Sequence, residues 1–343
     1  MPQPSLVGDT MNRPRLCQTF LLLAAGMHFV GPLAQASTDT AFASPQQRVD
    51  IGGRKLHLYC SGTGSTTVVF DAPSGDAGWT WFKVQPEVAK HTRACVYDRA
   101  ALGYSDPAAC PNSAANAVED LHKALQVAAI KPPYLLVGNS LGGENAQLYT
   151  YRYPEQVKGL VLLEPRTEDE NARLDKVTGG KIRQINAMVK AQNAQCLAAA
   201  KKGFQQGSAA LTNCVGDSPA FYGPVRGKAV QSIETKSAYW QSLIDEYNAF
   251  DASDGQLRAV RQRFGDLPLL VLTRGVSPFA VPGKPHSALN KALEDENAKI
   301  HKEIAALSNK GTQRLVAGAA HVIQAEQPAA VVQAVLEVLK QIN

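Results

Sequence analysis

Short unbroken apolar runs alternate along the chain with stretches whose apolar residues recur every three or four positions. The strand-like segments of the first half occupy residues 56–59, which alternate rather than run unbroken, and 67–70, 94–97, 134–137 and 160–163. Runs this short, bounded by turn residues, read as strands buried on both faces of a parallel sheet. Between the third and fourth, Val118, Leu121, Leu125 and Ala129 share one helix face. Ser113 offers a cap for that helix and Pro132-Pro133 ends it. The pattern predicts an α/β fold, a mostly parallel sheet with helices on both faces.

The alternation stops at Glu164 and resumes at 269–272, just after Pro268. The interval 165–267 is far longer than an ordinary crossover connection. Its Ile182, Ile185, Val189 and Cys196 keep helical spacing. This predicts a helical cap over 165–267, inserted into a core made of 37–164 and 268–343. Leu289, Leu293, Ile300, Ile304 and Leu307 predict a helix after the resumed strand. A last strand is expected at 313–316. Val331, Val332, Val335 and Leu339 predict a final helix, opened by Pro328.

Residues 1–36 follow a different pattern. Arg13 and Arg15 precede an apolar stretch at 20–30, and Ala34-Gln35-Ala36 supplies a small-x-small cleavage site. The stretch is too short to span a bilayer. A cleaved signal peptide is expected, hence a periplasmic or secreted product with no membrane attachment after cleavage. An oxidising compartment permits disulfides. Cys60, Cys95, Cys110, Cys196 and Cys214 follow the leader, an odd number that predicts at least one unpaired thiol. Cys196 with Cys214 is the first expected pair, and Cys60 with Cys95 the second. Apolar types make up 45% and charged types 19%, ordinary globular values that exclude disorder and a multi-pass membrane protein. A net charge of +5 over 343 residues, without a dense basic run, predicts no nucleic-acid partner.

Candidate chemistry concentrates at Gly138-Asn139-Ser140-Leu141-Gly142, a G-x-S-x-G motif. It directly follows an apolar run and opens a helix at Gly143, the strand–turn–helix context in which a serine nucleophile is exposed. The helix N-terminus then aims its dipole at Ser140. A serine needs a base. His57 and His91 lie in or before early strands, His286 in a loop, and His122 and His301 on expected solvated helix faces. His321 alone follows the last strand, where ligand chemistry gathers in such sheets, and is the expected base. The base needs an acid to fix its tautomer. No Asp or Glu follows the 269–272 run until Glu294, Asp295 and Glu296, which read as a solvated helix face. Glu164 ends the strand after the motif and is the expected acid, with Glu168 and Asp169 as competitors. The expected oxyanion donors are the backbone N–H groups of Leu141 and of Ser74, with Gly75 as the alternative.

These residues resemble the α/β-hydrolase family over roughly 48–340. The resemblance is carried by 68–75, by Tyr97-Asp98-Arg99-Ala100-Ala101-Leu102-Gly103-Tyr104-Ser105-Asp106, by the motif itself and by Gly318-Ala319-Ala320-His321. Ala72-Pro73 stands where members often have His-Gly, and Asn139 where His or Gln is common. Glu164 resembles the variant acid placement of haloalkane dehalogenases and some lactonases, while Ser140 separates the chain from the Asp-nucleophile dehalogenases and epoxide hydrolases. By this resemblance Asp98-Arg99 lies beside the site as a structural ion pair. Glu144 complements the dipole of the nucleophile helix.

The expected activity is hydrolysis of a small-molecule carboxylic ester or lactone through an acyl-enzyme, with no cofactor and no metal. Cap aromatics, among them Phe221, Tyr222, Tyr239 and Trp240, are candidate lining for an apolar pocket. An aminopeptidase or amidase is the alternative, with Glu168, Asp169 and Glu170 as a patch for a substrate amine. A binding protein on a hydrolase scaffold is the third reading.

Overall fold

The computed structural model describes residues 38–108, 110–281 and 283–342. The expected signal peptide, 1–36, lies outside the described residues. The strands are β1 (Gln47–Asp50), β2 (Lys55–Ser61), β3 (Thr67–Asp71), β4 (Arg93–Tyr97), β5 (Tyr134–Asn139), β6 (Val157–Leu163), β7 (Leu269–Arg274) and β8 (Gly311–Val316). They form one sheet in the order β1-β2-β4-β3-β5-β6-β7-β8. β2 pairs antiparallel with both β1 and β4, and every other pairing is parallel.

Short α1 (Thr38–Ala41) and α2 (Gln85–Val88) belong to the first part of the chain. α3 (Ala114–Val127) leads into β5, and α4 (Leu141–Arg152) leaves it. Between β6 and β7 run six helices: α5 (Glu170–Val177), α6 (Lys181–Lys202), α7 (Ala209–Val215), α8 (Ser218–Tyr222), α9 (Pro224–Glu234) and α10 (Ser237–Val260). α11 (Ala288–Ala305) follows β7, and α12 (Ile323–Glu326) and α13 (Pro328–Ile342) follow β8.

The unbroken apolar runs are explained by burial on both faces. Val68, Phe70, Leu135, Val137, Val161 and Leu163 point into a core closed by Val331, Val335 and Val338 of α13. Val69, Leu136, Leu160 and Leu162 point the other way, against Val118, Leu121 and Leu125 of α3 and Ile300 and Ile304 of α11. Side chains alternate along a strand, so each run must be apolar at every position to fill two cores. Each fully buried Val, Leu or Ile contributes about 1.5–3 kcal/mol relative to exposure. With both cores filled, the sheet is fixed, and the chemistry-bearing residues sit at the carboxyl ends of β3, β5, β6, β7 and β8.

Two disulfides form as expected. Cys60 and Cys95 are directly opposed across β2 and β4, and Cys196 joins Cys214 between α6 and α7. The expected leftover thiol is not found: no cysteine among the described residues is free, Cys110 included.

Candidate active site

β5 is buried at every position and is followed directly by Ser140, whose backbone sits at φ 54°, ψ −116°. A non-glycine residue with positive φ is strained, and a site that holds one must over-determine it. Here the Ser140 amide donates to the Leu163 carbonyl (3.0 Å). Its carbonyl accepts from the amides of Gly143 (2.9 Å) and Arg166 (2.9 Å). The flanking glycines are dictated by space. A Cβ on Gly138 would lie 2.2 Å from the Gly142 carbonyl oxygen, and one on Gly142 2.3 Å from that of Asp71. β3, β5 and the start of α4 thus approach closer than side chains allow, and Ser140 is carried at the tip.

His321 lies on the loop after β8 with its side chain half-exposed. Its carbonyl accepts from Asn139 Nδ2 (3.2 Å), which also donates to the Leu163 carbonyl (2.9 Å). Asn139 Oδ1 in turn accepts from Gln324 Nε2 (3.1 Å). The residue just before Ser140 therefore ties the histidine loop to the turn that presents Ser140.

Glu164 directly follows β6, and its Oε2 faces His321 Nδ1 at 3.6 Å. The carboxylate is buried. Its Oε1 accepts from the Arg274 amide (2.7 Å) and from Asn297 Nδ2 (3.4 Å), and its Oε2 accepts from Arg274 Nη1. His301 Nδ1 lies 3.6 Å from Oε1. Burial by itself raises a carboxyl pKa, but the facing His321, the neighbouring His301 and Arg274 outweigh it and hold Glu164 down to about 2. Glu164 is a fixed anion at neutral pH. His301 is pushed down to about 4 by burial, against the pull of Glu164, so it stays neutral, with Nδ1 2.9 Å from Thr273 Oγ1. The structure brings Glu164 to His321 and sends the competitors elsewhere. Glu168 pairs with Arg261, and Asp169 pairs with Arg258 (2.6 Å).

The loop after β3 carries the expected oxyanion donor. Arg99 Nη1 donates to Asp71 Oδ1 and to the Ala72 carbonyl (both 2.6 Å), and Nη2 to the Pro73 carbonyl (2.7 Å). The Gly75 amide is consumed by Glu246 Oε2 (2.8 Å), which removes Gly75 as the alternative donor. Ser74 Oγ is buried with no hydrogen-bond partner among the described residues.

Comparison with known proteins agrees with this fold. A family model described as α/β hydrolase fold matches residues 68–202. A thermophilic esterase from Thermogutta terrifontis superposes with a TM-score of 0.54 at 16% identity, over 87% of this chain and 99% of that one. The chain has the α/β-hydrolase fold. Sequence relatives of this hydrolase-fold chain match only in part. It is 30% identical over 118 residues to the uncharacterized protein YbdG of Bacillus subtilis, 34% of this chain and 36% of that one. It is 33% identical over 129 residues to 2-hydroxymuconate semialdehyde hydrolase of Pseudomonas sp. strain CF600, 35% of this chain and 45% of that one. The chain thus spans less than half the length of these curated relatives. Among the described residues no helix is long and apolar enough to cross a membrane, and no cluster of three or more His, Cys, Asp or Glu is placed to hold a metal ion.

Within the hydrolase fold several expectations are corrected. His301 is not on a solvated face. It is 1% exposed, on the α11 stripe that also buries Leu293, Asn297, Ile300 and Ile304. Glu294 and Glu296 are also partly buried and paired, with Arg274 (2.9 Å) and Arg173 (2.7 Å), because α11 packs against the sheet and α5. Asp98 and Arg99 do not pair with each other. Asp98 Oδ2 is 2.8 Å from His57 Nδ1, while Arg99 serves Asp71 and Glu246. Glu144 does more than face a helix dipole. It is fully buried against Arg166 (3.0 Å), and burial raises it to about 7 despite that partner. Of the residues that sequence reasoning missed, Asn297 and His301 carried a signal in their i, i+4 spacing on an apolar stripe. Arg274 and Glu246 carried none.

Proposed function

We propose that this protein is a serine hydrolase that cleaves a carboxylic ester or lactone through an acyl-enzyme. The observation that carries the reading is the buried Glu164 carboxylate facing His321 Nδ1 at 3.6 Å, on a loop that Asn139 ties to the Ser140 turn. His321 takes the Ser140 proton as Ser140 attacks the carbonyl. Glu164 stays ionised, holds the imidazole tautomer and stabilises its cation. The N–H groups of Leu141 and Ser74 stabilise the oxyanion. His321 then protonates the leaving alcohol and activates water against the acyl group. The helices between β6 and β7 act as the cap over this site. The leader-like N-terminus and the two disulfides support a periplasmic or secreted product. The amidase reading is weakened because Glu168 and Asp169, two of its three amine-binding candidates, are already ion-paired.

Fluorophosphonate labelling tests the proposal. Wild type labels and hydrolyses nitrophenyl butyrate or a simple lactone, and Ser140→Ala does neither. A wild type that resists the probe and turns over no ester or lactone defeats it.

A further inference from the structure

The loop that bears Ser74 is held by one carboxylate from the far side of the chain. Glu246 lies on α10, 1% exposed, and its two oxygens are divided between two partners. Oε2 accepts the Gly75 amide at 2.8 Å, and Oε1 accepts Arg99 Nε at 2.8 Å. The same guanidinium grips Asp71 Oδ1, the Ala72 carbonyl and the Pro73 carbonyl at 2.6–2.7 Å. Asp71 is fixed again by Tyr97 Oη (2.7 Å) and Asn145 Nδ2 (3.0 Å). The Asp71 carboxylate, the Ala72 and Pro73 carbonyls and the Gly75 amide are therefore engaged, while Ser74 Oγ is left without a partner among the described residues. A buried hydroxyl without a partner is costly, and a ligand oxygen accepting from it would offset that cost.

We propose that Glu246 is a positioning residue, through which the helical segment between β6 and β7 sets the oxyanion loop by fixing Arg99 and the Gly75 amide on either side of Ser74. This inference rests on the hydrolytic reading. Glu246 touches no substrate. Its effect is to hold a donor in place, and a displacement of about 1 Å in such a donor costs on the order of a hundredfold in rate. α10 also presses on the same loop through Leu243 and Tyr239. A Cβ on Gly75 would meet Leu243 Cδ1 at 2.8 Å and Tyr239 Oη at 3.4 Å. The oxyanion loop is thus seated directly against the segment expected to contact substrate.

The test compares wild type with Glu246→Gln and Glu246→Ala. Glu246→Gln is nearly isosteric and keeps an acceptor for Gly75, so it guards against a collapsed fold in Glu246→Ala. The expected result is a kcat for nitrophenyl butyrate lowered about tenfold in Glu246→Gln and about a hundredfold in Glu246→Ala, with KM within twofold. Affinity for a trifluoromethyl ketone, which forms an oxyanion adduct, should fall in parallel, while affinity for the matching secondary alcohol should not. Unchanged kcat in both variants, or equal losses for ketone and alcohol, overturns the proposal. An inactive wild type overturns the hydrolytic reading instead.

Discussion

At the scale of single residues, the centre of the site is a buried anion with several partners. Glu164 takes hydrogen bonds from the Arg274 amide and side chain and from Asn297, and lies beside His301 and His321. An isolated buried carboxylate would protonate, because desolvation of the charge costs several kcal/mol. His321, His301 and Arg274 at the end of β7 together prevent this, and Arg274 is itself clamped by Glu294 (2.9 and 3.2 Å). Glu164→Gln keeps the shape and removes the charge. If Glu164 is the acid behind His321, as proposed, kcat in nitrophenyl-ester hydrolysis should fall by about 10³–10⁴-fold. Turnover within tenfold of wild type would take that role from Glu164.

At the scale of elements, the tightest demand is the crossing of β3, β5 and α4. Gly142 has no room for a side chain, since its Cβ would lie 2.3 Å from the Asp71 carbonyl oxygen, 2.6 Å from its carbon and 2.7 Å from the Ala72 oxygen. All three neighbours are backbone, so no rotamer change relieves the clash. Gly142→Ala should destabilise the protein by about 3 kcal/mol, read as a lower urea midpoint at unchanged m-value. It should also displace the Ala72–Gly75 loop, which shares the contact. A wild-type midpoint would mean that β3 and α4 separate freely. The same crossing explains why the motif must be glycine-rich: the strand and helix meet at backbone distance, and only then does Ser140 project between them.

At the scale of the whole molecule, the buried ionisations compete across the pH range. Burial raises Glu144 and Glu234 to about 7 and lowers His301 to about 4. A raised carboxyl favours the folded state at low pH and loses that advantage as pH rises from 4.5 to 7. A lowered histidine favours it above 6.5 and loses that as pH falls from 6.5 to 4. Two such carboxyls act against one histidine, so together these three groups should lower stability as pH rises from 5 to 7. Glu164 differs, because it is lowered from 4.5 to about 2. Its contribution is full above 4.5 and is lost as pH falls through 2, a change of roughly 3 kcal/mol. Urea unfolding between pH 5 and 2 should show a shallower acid limb in Glu164→Gln than in wild type. Superimposable pH slopes would assign the acid limb to other carboxylates.

Local pattern determined the α/β class, the positions of β2 to β8 but not of the edge strand β1, the strand-free interval and the Ser140 turn, because each depends on neighbours within a few residues. Continuous apolar runs mark two-sided burial, and close glycines mark a backbone crossing. Ser140, Glu164 and His321 were also legible, since each stands at or just after the carboxyl end of an expected strand. The partners that surround those residues were not legible. Arg274, Asn297 and His301 around Glu164, and Arg99 with Glu246 around Ser74, are charged or polar residues that a sequence places by default on solvated faces. Burying a charge is tolerated only where another element supplies its partner. That partner can stand 110 residues away, as Arg274 does from Glu164, or 171, as Gly75 does from Glu246. Only the packing of the sheet against its helices decided which of these charges would meet.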